Sequence, residues 1–387
     1  MSIYILKRLI SIFLIVVLLF LACLPISAKN EENDDTFNFD CESVILMDAA
    51  TGTVLYEMNA DKALPPASVT KIMTLLLVME EIEKGNLKYT DTITTSSYAA
   101  SMGGSQIYLK EGEQMSALDM IKSVVIASAN DAAVALAEHI CGSEEAFVKR
   151  MNDKAQELGM CNTYFENTNG LDDATAKHLT SARDIAIMSR ELIKYDKILE
   201  FSSTWMDSIR NGEFGLTNTN RLVRFFKGAT GLKTGSTAKA KFCVSATAKR
   251  DNLHLICIVM GAPSSDVRNS IASQLLNWGF ANYELFEDND VKLPNIKINS
   301  GTDRYCYISS EDYSCIVNKG QGKNVSKKIV LPDVLQAPIE KGDLVGYIEY
   351  YFDGRLLGKS DIISNVSINK IEFGDLFVRI LSKFLIK

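Results

Sequence analysis

Ser68 and Lys71 stand three residues apart, Ser128 and Asn130 two apart, and Lys233, Thr234 and Gly235 follow one another directly. A serine hydroxyl is a weak nucleophile until a base removes its proton. A lysine one helical turn away shares the serine's face, and it becomes a base when burial or nearby positive charge lowers its pKa. A helix start also aims backbone N–H groups at a developing oxyanion. Ser128 adds a hydroxyl suited to relay a proton between Lys71 and a leaving amine, and the Asn130 amide can hold both the base and a peptide group. Lys233 supplies positive charge, and Thr234 supplies a hydroxyl for a substrate carboxylate. Gly235 lets a substrate backbone approach closely, and the Ser236 N–H completes an oxyanion hole with that of Ser68. Together these residue types describe acyl transfer from an anionic substrate through a serine-bound intermediate.

No single pair carries this reading. S-x-x-K recurs at residues 236–239 and 367–370, and S-x-N recurs at 367–369. Ser68 could be a plain helix cap with a solvent-facing lysine behind it, Ser128 or Asn130 could cap the next helix, and 233–235 could be an ordinary turn. Order and structural context decide.

The elements that must position these residues can be read from the pattern. Residues 44–48 and 51–56 form two strands joined by a turn. Pro65 and Pro66 then end extended structure, and a Leu- and Met-rich helix runs from about 68 to 83. Helices over 117–126 and 131–139 place Ser128 and Asn130 at their junction, and helical character returns at 144–158 and 182–192. Apolar runs at 242–248 and 253–260, divided by a polar turn, predict a buried antiparallel hairpin with the third motif on or beside a sheet edge. A helix over 267–283 closes this part. From about 291 the segments are short, β-prone and broken by Gly, Asp, Asn and Pro, which indicates a small β-rich domain.

The chain has 387 residues, 47% of them hydrophobic, enough for a substantial core and two domains. Lys7 and Arg8 precede an apolar run over 9–24 and a polar stretch over 29–35, the pattern of an export signal with Ala28 the last residue removed. The run is slightly long, so an uncleaved anchor is an alternative. A lipid-modified Cys23 is another, at odds with Phe20 where such signals usually carry leucine. Cleavage would leave seven cysteines with no C-x-x-C or zinc-like cluster; most read as small buried hydrophobes, although Cys306 and Cys315 could bridge neighbouring strands. A net charge of −7 with no basic cluster in the folded part argues against nucleic acid. With three histidines and no H-E-x-x-H, a metalloprotease is not expected. At the far end, Asp375, Arg379, Lys383 and Lys387 recur every four residues among apolar neighbours, an amphipathic helix. At ~1.5 Å per residue it reaches about 20 Å, too short to cross a core of roughly 30 Å and suited to the membrane interface; a terminal helix packed on its own domain is the alternative.

In its longer segments the chain resembles the serine-type D-alanyl-D-alanine carboxypeptidases, the low-molecular-mass penicillin-binding proteins. The likeness runs over most of residues 40–370. It includes 66–74 (PASVTKIMT), 127–133 (ASANDAA), Phe165 with Asn167, Gly170 and Leu171, His178 to Ser181, 231–235 (GLKTG), and 337–339 with 341–343. The resemblance implies an α+β fold of the β-lactamase/DD-peptidase kind, with helices flanking an antiparallel sheet, a small C-terminal β-rich domain and a terminal amphipathic anchor. The expected divisions are a signal over 1–28, a polar linker over 29–39, a catalytic domain over 40–287, the β-rich domain over 291–371 and the anchor over 373–387. The resemblance also implies removal of the terminal D-alanine from peptidoglycan pentapeptide stems at the outer face of the cytoplasmic membrane, acylation by penicillins, and no cofactor. It adds Arg268 as an aid in binding the terminal carboxylate. Two residues depart from the family pattern: Lys241, where Gly is frequent, and Thr168, where Pro is frequent and the change is expected to have little effect.

Three other readings compete. A serine β-lactamase needs a carboxylate to activate deacylating water, but the spacing at residues 166–170 does not match E-x-x-L-N. A non-catalytic wall-binding protein on the same fold would not need Ser68 and Lys71. Transpeptidation shares the acyl-enzyme, and the small C-terminal domain favours the carboxypeptidase.

Overall fold

Long apolar runs that cannot face water set the centre of the molecule. The computed structural model describes residues 37–172, 176–289 and 291–385; the expected export signal lies outside them. One compact unit begins at Asp40 and runs to the end of the chain.

Five strands form one antiparallel sheet: β1 (Ser43–Asp48), β2 (Val54–Met58), β3 (Ala229–Thr237), β4 (Lys241–Arg250) and β5 (Leu253–Ala262), in the order β2-β1-β5-β4-β3. The chain's first strands thus pair with its late hairpin, and β5, buried along almost its whole length, lies at the centre. Alternate residues point to opposite faces. Ile45, Ile256, Ile258 and Met260 join the main core, whereas Leu46 and Leu255 meet Gly279 of the helix Ser265–Asn282. On the main-core face, Ser189 of the helix Ala182–Leu192 hydrogen-bonds Ser245 of β4 at 2.8 Å. A strand pair joined late in the chain and covered on both faces gives β3 a fixed edge position, and β3 carries the third motif.

The central helix is α1 (Lys71–Glu83), with Ile72, Met73, Leu75, Leu76, Leu77, Val78 and Met79 all buried. A helix apolar all round belongs inside a core, and each such side chain contributes about 1.5–3 kcal/mol by leaving water. One turn of 3-10 helix, Ala67–Thr70, precedes it, so the helix expected from residue 68 begins as the tighter form. Around it pack α2 (Ala117–Ile126), α3 (Asn130–Cys141) and α4 (Glu144–Glu157). α2 and α4 start on serine caps, Ser116 and Ser143, each accepting an N–H three residues on. α3 does not: its cap position is Ala129, with no side-chain cap hydrogen bond. Neither Ser128 nor Asn130 therefore serves as a helix cap.

Beyond the helix Ser265–Asn282 the chain becomes β-rich. Tyr283–Asp288 pairs with Tyr313–Asn318, and a four-stranded antiparallel sheet forms from Ile308–Ser310, Arg355–Ser364, Leu344–Phe352 and Ser326–Val330. Its small core gathers Ile296, Val345, Ile348, Tyr350 and Ile362. Tyr350 stacks on Tyr313 at 3.8 Å and donates its hydroxyl to Asp288. Cys306 and Cys315 are free thiols rather than a bridge, as are the other described cysteines. The terminal helix Phe373–Leu385 exposes Phe373, Leu376, Phe377, Val378, Ile380 and Leu381. Among the described residues no helix is long and apolar enough to cross a membrane.

Candidate active site

The 3-10 turn sets the first pair. Side chains three apart nearly eclipse in this helix form, and Lys71 Nζ lies 3.0 Å from Ser68 Oγ. The lysine is fully buried. Its amine donates to Asn130 Oδ1 at 2.5 Å and to the Asn169 carbonyl at 2.7 Å. Burial holds its pKa well below the ordinary lysine value, the Lys233 charge adds to the effect, and Asp131 opposes it. A neutral amine has two N–H donors and one lone pair. With both donors committed to oxygens that cannot give a proton back, the lone pair faces the Ser68 hydroxyl, which is the arrangement a general base requires.

The second pair sits where α2 gives way to α3. Ser128 takes a left-handed backbone conformation, φ 64°, which turns the chain sharply between the two helices and brings its side chain to the cleft. The structure shows no hydrogen bond between Ser128 and Lys71. Asn130 donates its Nδ2 to the Gly103 carbonyl at 2.7 Å, and its backbone N–H bonds Ser105 at 2.7 Å. Asp131, fully buried, accepts the N–H groups of Ile107 and Leu109. Neighbouring side chains at the start of α3 thereby tie the 103–109 loop to the site.

The third motif lies on the edge strand β3, against the Ser68 turn. A Cβ on Gly235 would stand 2.8 Å from the Ser68 nitrogen and 2.9 Å from Pro66 O and Val69 N. The glycine is therefore demanded by the protein's own packing, a reason different from the substrate approach inferred from sequence. Lys233 is buried and donates to the Thr234 carbonyl at 2.8 Å. Burial first, then the Arg268 charge, push its pKa down to about 7, so its charge is conditional rather than fixed. Thr234 Oγ1 bonds Thr219 Oγ1 at 2.8 Å. Arg268 is nearly buried, bonds the Cys243 carbonyl and Asn269, and is itself lowered to about 10 by burial.

Ser68, Ser128, Thr234, Gly235, Ser236 and Arg268 all line one open cleft of about 600 Å³. Lys71, Asn130 and Lys233 are buried beside it. Sequence reasoning missed the cleft's outer lip, where the Arg224 guanidinium lies over Trp205 at 5.5 Å and over the exposed ring of Phe225 at 5.4 Å. It also missed the Asn169 carbonyl, because a backbone acceptor has no side-chain signature. That carbonyl is held by a tight loop: Asn167 Oδ1 accepts the Gly170 N–H at 2.7 Å, and a Cβ on Gly170, φ 85°, would overlap Ala67 O. Thr168, expected to matter little, is fully buried and gives both its N–H and its hydroxyl to Glu144, at 2.8 and 2.7 Å. Proline could make neither bond. Lys241 has φ 56°, a backbone that favours glycine, and its amine pairs with Glu42 at 3.1 Å. Glu166 accepts the Lys177 N–H at 2.8 Å. No group of three or more metal-ligating side chains occurs among the described residues.

Comparison with known proteins identifies the family. Residues 28–264 match the D-alanyl-D-alanine carboxypeptidase family, and residues 280–370 match the penicillin-binding protein 5 C-terminal domain. The chain is 41% identical to D-alanyl-D-alanine carboxypeptidase DacF of Bacillus subtilis over 376 residues, covering 95% of this chain and 96% of the relative. The structure is similar to penicillin-binding protein 5 of Haemophilus influenzae, with TM-score 0.76, 30% identity, and coverage of 86% of this chain and 99% of that one. It is also similar to ampicillin-bound penicillin-binding protein D2 of Listeria monocytogenes, with TM-score 0.58, 30% identity, and coverage of 63% and 99%.

Proposed function

The chain belongs to the D-alanyl-D-alanine carboxypeptidase family, and we propose that it performs that reaction through an acyl-enzyme on Ser68. Lys71, neutral in its buried site, takes the Ser68 proton as Oγ attacks the carbonyl between the two D-alanines. The N–H groups of Ser68 and Ser236 receive the oxyanion. The proton passes by way of Ser128 to the leaving nitrogen, the C–N bond breaks, and free D-alanine departs. Water then attacks the ester, Lys71 takes its proton and returns it to Ser68 Oγ as the acyl C–Oγ bond breaks, and the shortened peptide acid leaves. Thr234, Arg268 and charged Lys233 hold the substrate's terminal carboxylate, Asn130 orients the base and the peptide group, and Gly235 keeps the strand against the Ser68 turn. Penicillins acylate the same serine and resemble the substrate only as far as the ester.

The observation that carries this reading is the Lys71 amine, buried, bonded to two carbonyl oxygens and 3.0 Å from Ser68 Oγ. Incubation with diacetyl-L-Lys-D-Ala-D-Ala is expected to release free D-alanine, and a fluorescent penicillin is expected to label the protein but not a Ser68→Ala variant. Absence of both signals in the intact protein would overturn the assignment. A penicillin adduct that hydrolysed within milliseconds would point to a β-lactamase instead.

The site's setting belongs to the same proposal. We place the enzyme at the outer face of the membrane, acting on peptidoglycan stems, with residues 1–28 as leader, 40–287 as catalytic domain, 291–371 as β-rich domain and 373–387 as an interfacial anchor. The exposed apolar side chains of the terminal helix support the last assignment.

A further inference from the structure

We propose that His178 is a positioning residue for the nucleophile, holding the Ser68 turn in register through Thr70. This inference rests on the reaction proposed above. The imidazole is buried and far along the chain from Ser68, yet two linked hydrogen bonds connect it to the residue just before the serine and a third fixes its other nitrogen. The Glu166 N–H donates to His178 Nδ1 at 3.0 Å, which leaves Nε2 as the protonated nitrogen. Nε2 lies 2.8 Å from Thr70 Oγ1 and donates to it. The Thr70 hydroxyl in turn donates to the Ala67 carbonyl at 2.8 Å. Every donor in this chain has one acceptor, so the direction of each bond is determined.

The end of the chain is where help is needed. Ala67 holds φ 49°, a left-handed conformation that costs a non-glycine residue about 1–2 kcal/mol and persists only where the surroundings over-determine it. That conformation sets the direction in which Ser68 leaves the turn, toward Lys71 and the cleft. The Ala67 carbonyl also lies against Gly170, on the loop whose Asn169 carbonyl holds the base. Among the described residues Thr70 is the side chain that hydrogen-bonds this carbonyl, and His178 fixes which way Thr70 points. The Phe165 ring packs against the imidazole in a T-shaped contact, centroids 5.7 Å apart, and holds its plane. A buried ring with one nitrogen held by the Glu166 N–H and the other committed to the Ser68 turn acts on the serine's placement rather than on the substrate.

The test measures acylation of the full chain by a fluorescent penicillin, separating affinity from the acylation step. In His178→Phe, which keeps the ring volume and removes both bonds, the acylation step is expected to slow by about 10- to 100-fold with affinity changed less than about threefold, the signature of a misplaced reacting atom. His178→Gln can accept from Glu166 and donate to Thr70, and it is expected to recover most of the rate. Thr70→Val breaks the same chain one link nearer the serine, so its effect should match that of His178→Phe and the double variant should add nothing further. If His178→Phe fails to fold, Thr70→Val and His178→Gln decide. A folded His178→Phe acylated at the wild-type rate, a Gln variant as slow as Phe, or additive effects of the two sites would each overturn the positioning role. Wild-type protein that is not acylated at all would instead overturn the proposed reaction.

Discussion

Gly235→Ala separates two accounts of why the third motif ends in glycine. If the glycine serves only the approach of substrate, the variant raises KM and leaves the free enzyme's stability unchanged. The structure argues otherwise. The new Cβ would lie 2.8 Å from the Ser68 nitrogen, whereas ordinary contact begins near 3.4 Å, a shortfall of about 0.6 Å. All three close neighbours, Ser68 N, Pro66 O and Val69 N, are backbone atoms, so no side chain can rotate away and the turn or the strand must move. Overpacking of this kind costs about 1–3 kcal/mol, which for a domain of this size lowers Tm by roughly 2–10 °C. The same displacement carries Ser68 Oγ away from Lys71 and from the cleft, and misplacement approaching 1 Å costs on the order of 100-fold in rate. Thermal unfolding and the rate of labelling by a fluorescent penicillin read the two effects independently. An unchanged Tm together with an unchanged acylation rate would refute the packing argument.

Further outcomes follow from the buried charges and the unexpected contacts. Lys233 has a native pKa of about 7, against ~10.4 in an unfolded chain, so between those values the unfolded state binds the extra proton and stability contributed by this group rises with pH. Lys233→Met should flatten that rise between pH 7 and 10 in urea unfolding, and an unaltered slope would contradict the assignment. The same variant removes a positive neighbour of Lys71, so the acid limb of acylation, where Lys71 becomes protonated and inactive, should move to higher pH; a limb that stays in place argues against the coupling. Thr168→Pro loses two bonds to the Glu144 carboxylate and should cost about 2–5 kcal/mol of stability, measured by denaturant midpoint; a loss below 0.5 kcal/mol on the usual scale of surface changes would contradict this. Deleting residues 373–387 should move the protein from the membrane to the soluble fraction once the leader is cleaved, and an unchanged distribution would remove the anchor role.

The sequence spoke clearly where one residue's type and spacing determine its geometry. Three-residue spacing before an apolar helix placed Ser68 and Lys71 on one face, because both 3-10 and α geometry bring such positions together. Apolar runs placed the helices 117–126 and 182–192 at the ends the structure gives. The hairpin at Lys241–Arg250 and Leu253–Ala262 was legible for the same reason. What stayed hidden depends on residues distant in sequence. The Asn169 carbonyl, the Thr168 to Glu144 bonds and the His178 chain all join segments dozens of residues apart, and backbone acceptors leave no compositional trace. The lip residues Trp205, Arg224 and Phe225 flank in sequence the hairpin Met206–Ile209 with Phe214–Thr217, whose four-residue strands are too short for a periodic signal. Gly235 was visible as a glycine, but its reason lay in the turn packed against it.

Two lysines in one site must do opposite things, and the environments divide the work. Under the proposed mechanism Lys71 has to be neutral to accept a proton, whereas Lys233 has to be charged to hold a carboxylate. Lys71 is enclosed by two carbonyl oxygens that satisfy its N–H groups in the neutral form. Lys233 bonds one carbonyl and sits near Arg268, so when the cleft is free its charge is disfavoured by burial and by a like charge together. A substrate carboxylate beside Lys233 and Arg268 reverses the second effect and draws Lys233 toward its charged state. A more fully charged Lys233 then presses the Lys71 pKa lower still, since the two are coupled directly. The anion that identifies a correct substrate therefore strengthens the tendency of the base to be neutral. Selection of a free C-terminal carboxylate and activation of Ser68 are, on this reasoning, two consequences of one electrostatic arrangement.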